Sequence, residues 1–396
     1  MHAPLPRALP LLLAALTATG PLGIDMYLPA IPQMATEFGT SEGAIMLSLM
    51  TFFLGLMAGQ LVYGPLSDKY GRRPLIFVGM SVFVLGALGC ALAPSLPALH
   101  AWRLVQGLGG SIGMVIAFAI IKDLFAGPAM GKMMSLVLAV LGLAPVLAPL
   151  AGNGLLALDS WRLIFWAMAA WGVLVMLACA AVLPESRSVQ ARAGYQLGRI
   201  PQTYLSILRD GRFIPFAATL VVAQAGFFAY IAGSSTVLIR HYGLSPTAFS
   251  LLFALNALGI VVAAILNPRL HALWGVQRTY RRANTGYALV MLAVLACFAA
   301  GITHLAVLCS GLFLAVALLG LIMPTGSQLA MAQQGPVAGT ASALMGSLQF
   351  GAGALVSAVA GVLVAHSAIG LLQIMALCAT VSALMAWTLF PARQAG

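Results

Sequence analysis

A chain of 396 residues with 62% hydrophobic and 7% charged side chains and a mean hydropathy of +1.03 is too apolar to be a soluble globule, in which about a quarter of the residues carry charge. Its net charge of +11 is explained by membrane topology, as set out below, and requires no nucleic acid. The five cysteines, Cys90, Cys179, Cys297, Cys309 and Cys378, lie in apolar stretches without CxxC spacing, which points to packing rather than to a metal or a disulfide.

Apolar runs recur at roughly 8–31, 43–64, 74–93, 97–121, 131–153, 160–183, 213–236, 247–267, 283–301, 304–325, 337–363 and 368–390. Each is long enough to cross a hydrocarbon core of about 30 Å as a helix. The pattern predicts an all-α membrane protein of twelve transmembrane helices. The first run is preceded only by Arg7 and has no small-residue cleavage site before Asp25, so it reads as a retained helix. Asp25 is its only ionisable group. A carboxylate at that depth costs about 2.5–3.5 kcal/mol on insertion scales, so it marks either a functional group or an ion pair that locks two helices.

The loop after the second helix reads GPLSDKYGRRP at 64–74, where Gly64 and Gly71 permit a tight turn and Asp68 sits beside Arg72 and Arg73. Those charges are suited to bonds across two helical bundles, and Asp123 at the inner end of the fourth helix is a further acid for Arg72. Arg103, in the same fourth helix, is the candidate partner for Asp25. Counting from the outer helix ends at 1.5 Å per residue puts Asp25 roughly 12 Å deep and Arg103 roughly 9 Å deep, so both belong to one layer. In the fifth helix Pro145 and Pro149 interrupt the backbone ladder between Gly142 and Gly152, which predicts a kinked helix able to pack closely and pivot.

Pro184 to Arg212 is the longest polar stretch, with a short amphipathic helix expected around Gln202–Leu208. It divides the chain into a six-helix bundle at 1–183, a linker at 184–212 and a second six-helix bundle at 213–396. A weak internal repeat supports this division: aligning Gly71 with Gly275 superposes two basic loops, with Ala272 where Asp68 would stand. Two pseudo-symmetric bundles around a central site are a common transporter plan. The small residues around Gly339, Gly346, Gly351, Gly353 and Gly361 suit close contact of the eleventh helix. Tyr27, Gln60, Tyr63, Gln106, Met114, Phe118, Gln224, Phe227, Tyr230, Asn256, Gln328 and Gln349 are the polar, aromatic and Met side chains expected to supply a cavity. With both termini inside, 16 of the 19 basic residues fall on the cytoplasmic side or its helix ends, as the positive-inside rule requires.

The 64–74 loop resembles the loop signature of the major facilitator superfamily. IDMYLPAIP at 24–32, RLVQGLGGS at 103–111, LAPVLAPLAGN at 143–153 and VAGTASALMGSLQFGAGALVS at 337–357 resemble segments of its Bcr/CflA drug:proton antiporters, of the bicyclomycin-resistance type. The resemblance implies proton coupling through Asp25 and Arg103, and a cytoplasmic latch built on Gly64, Asp68, Gly71, Arg72, Arg73 and Asp123. It also implies a gating role for Gly142, Pro145, Pro149 and Gly152. A functional monomer in the bacterial inner membrane is expected, exchanging small drugs for protons with no cofactor. Thr17 stands where some multidrug relatives carry a second acid, which favours neutral or zwitterionic drugs over lipophilic cations. Export of an endogenous metabolite is the alternative within transport. A membrane enzyme is disfavoured, since the sequence shows no nucleophile elbow, histidine-rich metal cluster or paired membrane carboxylates.

Overall fold

The computed structural model describes residues 6, 8–193, 197–364 and 367–389; Arg7 and Arg393, counted in the charge topology, lie outside the described residues. Every regular element among the described residues is helical. Twelve of these helices are long and apolar enough to span a membrane. Spans 1 to 6 are Leu9–Glu37, Glu42–Tyr70, Arg72–Ala91, Leu96–Leu124, Gly127–Leu158 and Arg162–Val182. Spans 7 to 12 are Ile214–His241, Pro246–Trp274, Val276–Ala299, Leu305–Met331, Ala338–Leu363 and Ala368–Thr388.

Local signals explain several starts. Ser245 Oγ accepts from the Ala248 N–H at 3.1 Å and Ser367 Oγ from the Ile369 N–H at 3.1 Å, capping spans 8 and 12. Proline stands in the first turn of spans 4, 5, 7 and 8, where its missing N–H is harmless. Several spans extend beyond the apolar runs. Span 2 starts at Glu42 and continues to Tyr70, and span 9 starts at Val276, seven residues before the expected 283. The expected loops at 64–74 and 267–282 therefore shrink to one glycine each. A run of apolar residues ends at the first charges, whereas Arg278, Arg281 and Arg282 stand in the first two turns of the helix itself. Gly71 has φ 104° and Gly275 φ 78°, both with ψ near 155°. They are 204 residues apart, so the weak sequence repeat coincides with a repeated single-residue joint.

The described residues divide into two compact units, Met1–Ala30 with Thr51–Gln202, and Ile31–Met50 with Thr203–Gly396. In the first, span 1 packs against spans 4, 5 and 6, and span 3 against spans 4 and 6. In the second, span 7 packs against spans 10, 11 and 12, and span 9 against spans 10 and 12. These five pairings thus recur six helices further on. The hairpin Ile31–Met50, made of the end of span 1 and the start of span 2, belongs with the second unit. In the 184–212 linker, a short helix occupies Ile200–Leu208. Beyond it, Asp210 accepts from the Arg212 backbone N–H at 2.8 Å and from Gln334 Nε2 at 2.6 Å. These donors hold its carboxyl below the usual carboxylate range.

Candidate functional site

Span 1 is not one continuous α-helix. Leu9–Asp25 is α-helical, Leu28–Ala30 forms a 3₁₀ turn, and α winding resumes over Ile31–Glu37. Pro29 and Pro32 explain the interruption, because the residue before a proline is disfavoured in the α region. Asp25 is therefore the last α residue of the inner segment. It is 2% exposed, and its Oδ1 is buried without a hydrogen-bond partner.

Arg103 reaches the same layer and is fully buried. Its Nη2 donates to the Gly23 carbonyl at 2.9 Å, in the last turn before the break, and its Nη1 donates to Gln106 Oε1 at 2.7 Å. Its guanidinium carbon lies 4.1 Å from the Phe52 ring centroid, 4.4 Å from that of Tyr27 and 5.7 Å from that of Phe165. Each stack on a desolvated cation contributes up to about 2 kcal/mol. The shared depth expected from counting residues is present, but the expected Asp25–Arg103 contact is not. Arg103 turns Nη1 and Nη2 to Gln106 and Gly23 and leaves its Nε buried without a partner, and residues two apart on a helix, as Gly23 and Asp25 are, do not face one another.

This arrangement also corrects the cavity set. Gln106 and Tyr27 are fully buried around Arg103, with Gln106 Nε2 also on Met168 Sδ at 3.3 Å, so they build the arginine cage instead of lining an open space. Gln60 and Tyr63 are buried at 7% and 5% exposure, one turn apart on span 2. Met114 lies against Gly20, where an added Cβ would come within 3.1 Å of its Sδ, and half-buried Phe118 is one turn further along span 4. Thr17, at the position noted for its missing acid, is buried and donates back to the Leu13 carbonyl.

The second unit gathers its own group. Asn256 Nδ2 donates to Tyr230 Oη at 2.8 Å, and the Tyr230 ring stacks on Phe253 at 5.3 Å and on Phe227 at 6.2 Å. Gln224 and Phe227 are half-buried one turn apart on span 7, Gln349 is half-buried on span 11, and Gln328 is exposed. Span 7 also departs from α winding at its C-terminal end, with a π turn over Thr236–His241.

Span 5 runs unbroken from Gly127 to Leu158 with Pro145 and Pro149 inside it; Gly142 is half-buried and Gly152 is buried. The backbone of Gly152 abuts the break in span 1: an added Cβ would stand 1.7 Å from the Met26 carbonyl oxygen. Gly154, two residues on, has nothing within 4 Å. Gly152→Ala is expected to lower the thermal midpoint of the purified protein by several degrees, and Gly154→Ala to leave it unchanged; equal midpoints for the two variants would show that the close approach is not required.

At the joint between spans 2 and 3, Arg72 organises the 64–74 segment. Its guanidinium bonds Asp68 at 2.7 Å, Asp123 at 2.9 Å and Ser67 Oγ at 2.6 Å. Glu185, which sequence reasoning passed over, accepts the N–H groups of Arg72 at 2.9 Å and Arg73 at 3.1 Å. A carboxylate there caps the positive end of span 3. Its signal was its place just after span 6, as the one acid between Pro184 and Arg209. Arg73 donates to the Ala180 carbonyl at 2.9 Å. All these partners belong to the first unit, so these bonds, expected across the bundles, are made within one; Ser186 Oγ in turn donates to Asp123 at 3.1 Å. At the matching joint in the second unit the network is uncharged: His271 Nε2 meets Thr325 Oγ1 at 3.1 Å, and Thr325 donates to Asn267 Oδ1 at 3.0 Å.

A family model described as Major Facilitator Superfamily matches residues 13–358. An uncharacterized MFS-type transporter, YdgK, of Bacillus subtilis is 35% identical over 90% of this chain and 89% of its own. A bicyclomycin resistance protein homolog of Haemophilus influenzae is 28% identical over 94% of each chain. Among solved structures, a bacterial homolog of the human lysosomal transporter Spinster superposes with a TM-score of 0.76 at 16% identity, over 98% of this chain and 97% of that one. That last likeness is one of fold alone.

Proposed function

Since the chain belongs to the Major Facilitator Superfamily and is a multi-pass membrane transporter, we propose that it is a proton-coupled antiporter of the Bcr/CflA type that exports small neutral or zwitterionic drugs from the cytoplasm. The observation that carries this reading is Asp25, a buried acid with an unpartnered oxygen at the break in span 1. A carboxyl group there is comfortable neutral and costly ionised. It loads a proton where the site meets the acidic side and releases it when water or a substrate dipole reaches it from the other. Proton and drug then favour different charge states of one group, which is the differential interaction that coupled exchange requires. Arg103 acts on Asp25 through the backbone, by holding the end of the inner segment at Gly23.

Charge distribution supports the substrate class. No Asp or Glu follows Asp210 in the sequence, and position 17 is threonine. The aromatic group around Tyr230 and the amides of Gln224 and Asn256 offer stacking and neutral hydrogen bonds, which suit uncharged polar drugs such as bicyclomycin or chloramphenicol-like amides. The test is substrate-induced proton release from the purified protein across a panel of drugs and small metabolites. Release by neutral or zwitterionic drugs is expected; release by amino acids or sugars alone would transfer the reading to metabolite export, and no release by any compound would remove the antiport mechanism.

A further inference from the structure

The joint between spans 2 and 3 holds more positive charge than its acids answer. Arg72 and Arg73 stand in the first turn of span 3, at the positive end of its backbone dipole, where a cation is unfavourable. Arg187 and Arg192 come to the same place from the linker. Arg187 Nη2 lies 3.8 Å from Asp68 Oδ1, and the Arg187 N–H donates to Glu185 Oε1 at 2.9 Å. A Cβ on Gly71 would stand 2.6 Å from Glu185 Oε2 and 3.3 Å from Arg192 Nη1, so Arg192 reaches the joint residue itself. All four arginines belong to the first unit.

The acids present are already committed. Asp68 and Asp123 bond the Arg72 guanidinium, and both oxygens of Glu185 accept backbone N–H groups. Among the described residues, the guanidinium groups of Arg73, Arg187 and Arg192 make one hydrogen bond, from Arg73 Nη2 to the Ala180 carbonyl, and one long ion pair, from Arg187 to Asp68. The Nε atom of each of the three is buried and has no partner. A charged donor withdrawn from water without an acceptor is costly, so three of them in half-buried side chains at one joint require an acceptor that the chain does not supply. An oxyanion supplies it. The flat guanidinium fork matches the oxygens of a phosphate in pairs, and a phosphate carries enough acceptor oxygens to serve arginines from span 3 and from the linker together.

We propose that Arg73, Arg187 and Arg192 form a binding site for a phosphate oxyanion beside the joint of spans 2 and 3. The bound anion offsets the surplus charge and fastens the start of the linker, with its short helix Val189–Ala193, to the first turn of span 3. Two sources share this chemistry, the phosphodiester of an anionic phospholipid and free inorganic phosphate. A joint between consecutive spans lies at a face of the bilayer, where basic pockets between helices meet lipid headgroups. The site takes no part in proton coupling or drug recognition, so it stands independently of the antiport reading.

Thermal midpoints of the purified full-length protein in detergent test the site against phosphatidylglycerol, against phosphatidylcholine at the same mole fraction, and against inorganic phosphate compared with chloride at equal ionic strength. Phosphatidylglycerol is expected to bind about tenfold more tightly than phosphatidylcholine, read as the concentration giving half of the midpoint shift. Arg187→Gln with Arg192→Gln should abolish that preference. Arg209→Gln with Arg269→Gln removes the same charge from two exposed arginines of the second unit and should keep it. Stabilisation by inorganic phosphate that is lost with Arg187→Gln and Arg192→Gln supports the site with soluble phosphate as its occupant; stabilisation by phosphatidylglycerol alone supports it with the lipid. Equal loss of the preference in both double variants would be general attraction to negative charge and overturns the proposal. A natural protein that distinguishes neither the two lipids nor phosphate from chloride overturns it as well. If the Arg187→Gln, Arg192→Gln protein does not fold, Arg192→Gln alone decides: a weakened preference supports the site and an unchanged one overturns it.

Discussion

Asp25→Asn is expected to abolish substrate-induced proton release and to reduce efflux driven by a pH gradient at least tenfold, the largest functional effect of any single substitution considered for this chain. The amide keeps the shape of the side chain and removes the titration. Asp25 Oδ1 has no bond to lose, so the variant should insert and fold normally. Its thermal midpoint should be equal to or higher than that of the natural protein, most visibly at alkaline pH, where the natural carboxyl is driven toward its ionised form inside an apolar surround. An ionisable group at mid-membrane costs about 2.5–3.5 kcal/mol on insertion scales, which sets the size of the stabilisation available to the neutral variant. Drug binding without proton release in Asp25→Asn would separate recognition from coupling. Retained pH-driven efflux by reconstituted Asp25→Asn would remove the assignment outright.

How much of this was visible in the chain depends on the kind of signal. Apolar run length is a property of one segment, and it located all twelve spans. The position of Gly71 and Gly275 was legible for the same reason, since a left-handed joint between two helices selects glycine locally. Helix ends were less so: the arginines at the start of span 9 look like loop residues to a hydropathy scale but are helical, and arginine is a good helix former. Contacts between spans were the least legible. Depth counting put Asp25 and Arg103 in one layer, but rotation about the helix axis is not encoded in spacing alone, and it sends Arg103 to the Gly23 carbonyl. Gln106 three residues on from Arg103 was a usable clue, since such pairs face each other on a helix. Glu185 was overlooked because it stands at a segment edge, where an acid is ordinarily solvated.

Arg103→Ala should be the most destabilising substitution at the site. It leaves the Gln106 amide oxygen and the Gly23 carbonyl without their charged donor, at about 1–3 kcal/mol for each buried group left unsatisfied. It also empties the space between Tyr27, Phe52 and Phe165. Arg103→Lys keeps the charge but not the planar fork that meets two acceptors while stacking on rings, so it should recover only part of the loss. The double variant Asp25→Asn with Arg103→Ala decides between two roles for the arginine. Were Arg103 the counter-ion of Asp25, removing both charges would restore most of the stability lost with Arg103→Ala. The observed geometry, with no bond between the two side chains, predicts that removing Asp25 as well restores little of that stability. Thermal midpoints of the four proteins, measured in one detergent at one pH, give that coupling directly. A cycle without that recovery makes Arg103 the fastener of the broken helix, acting through the backbone it holds in place, and not the counter-ion of Asp25.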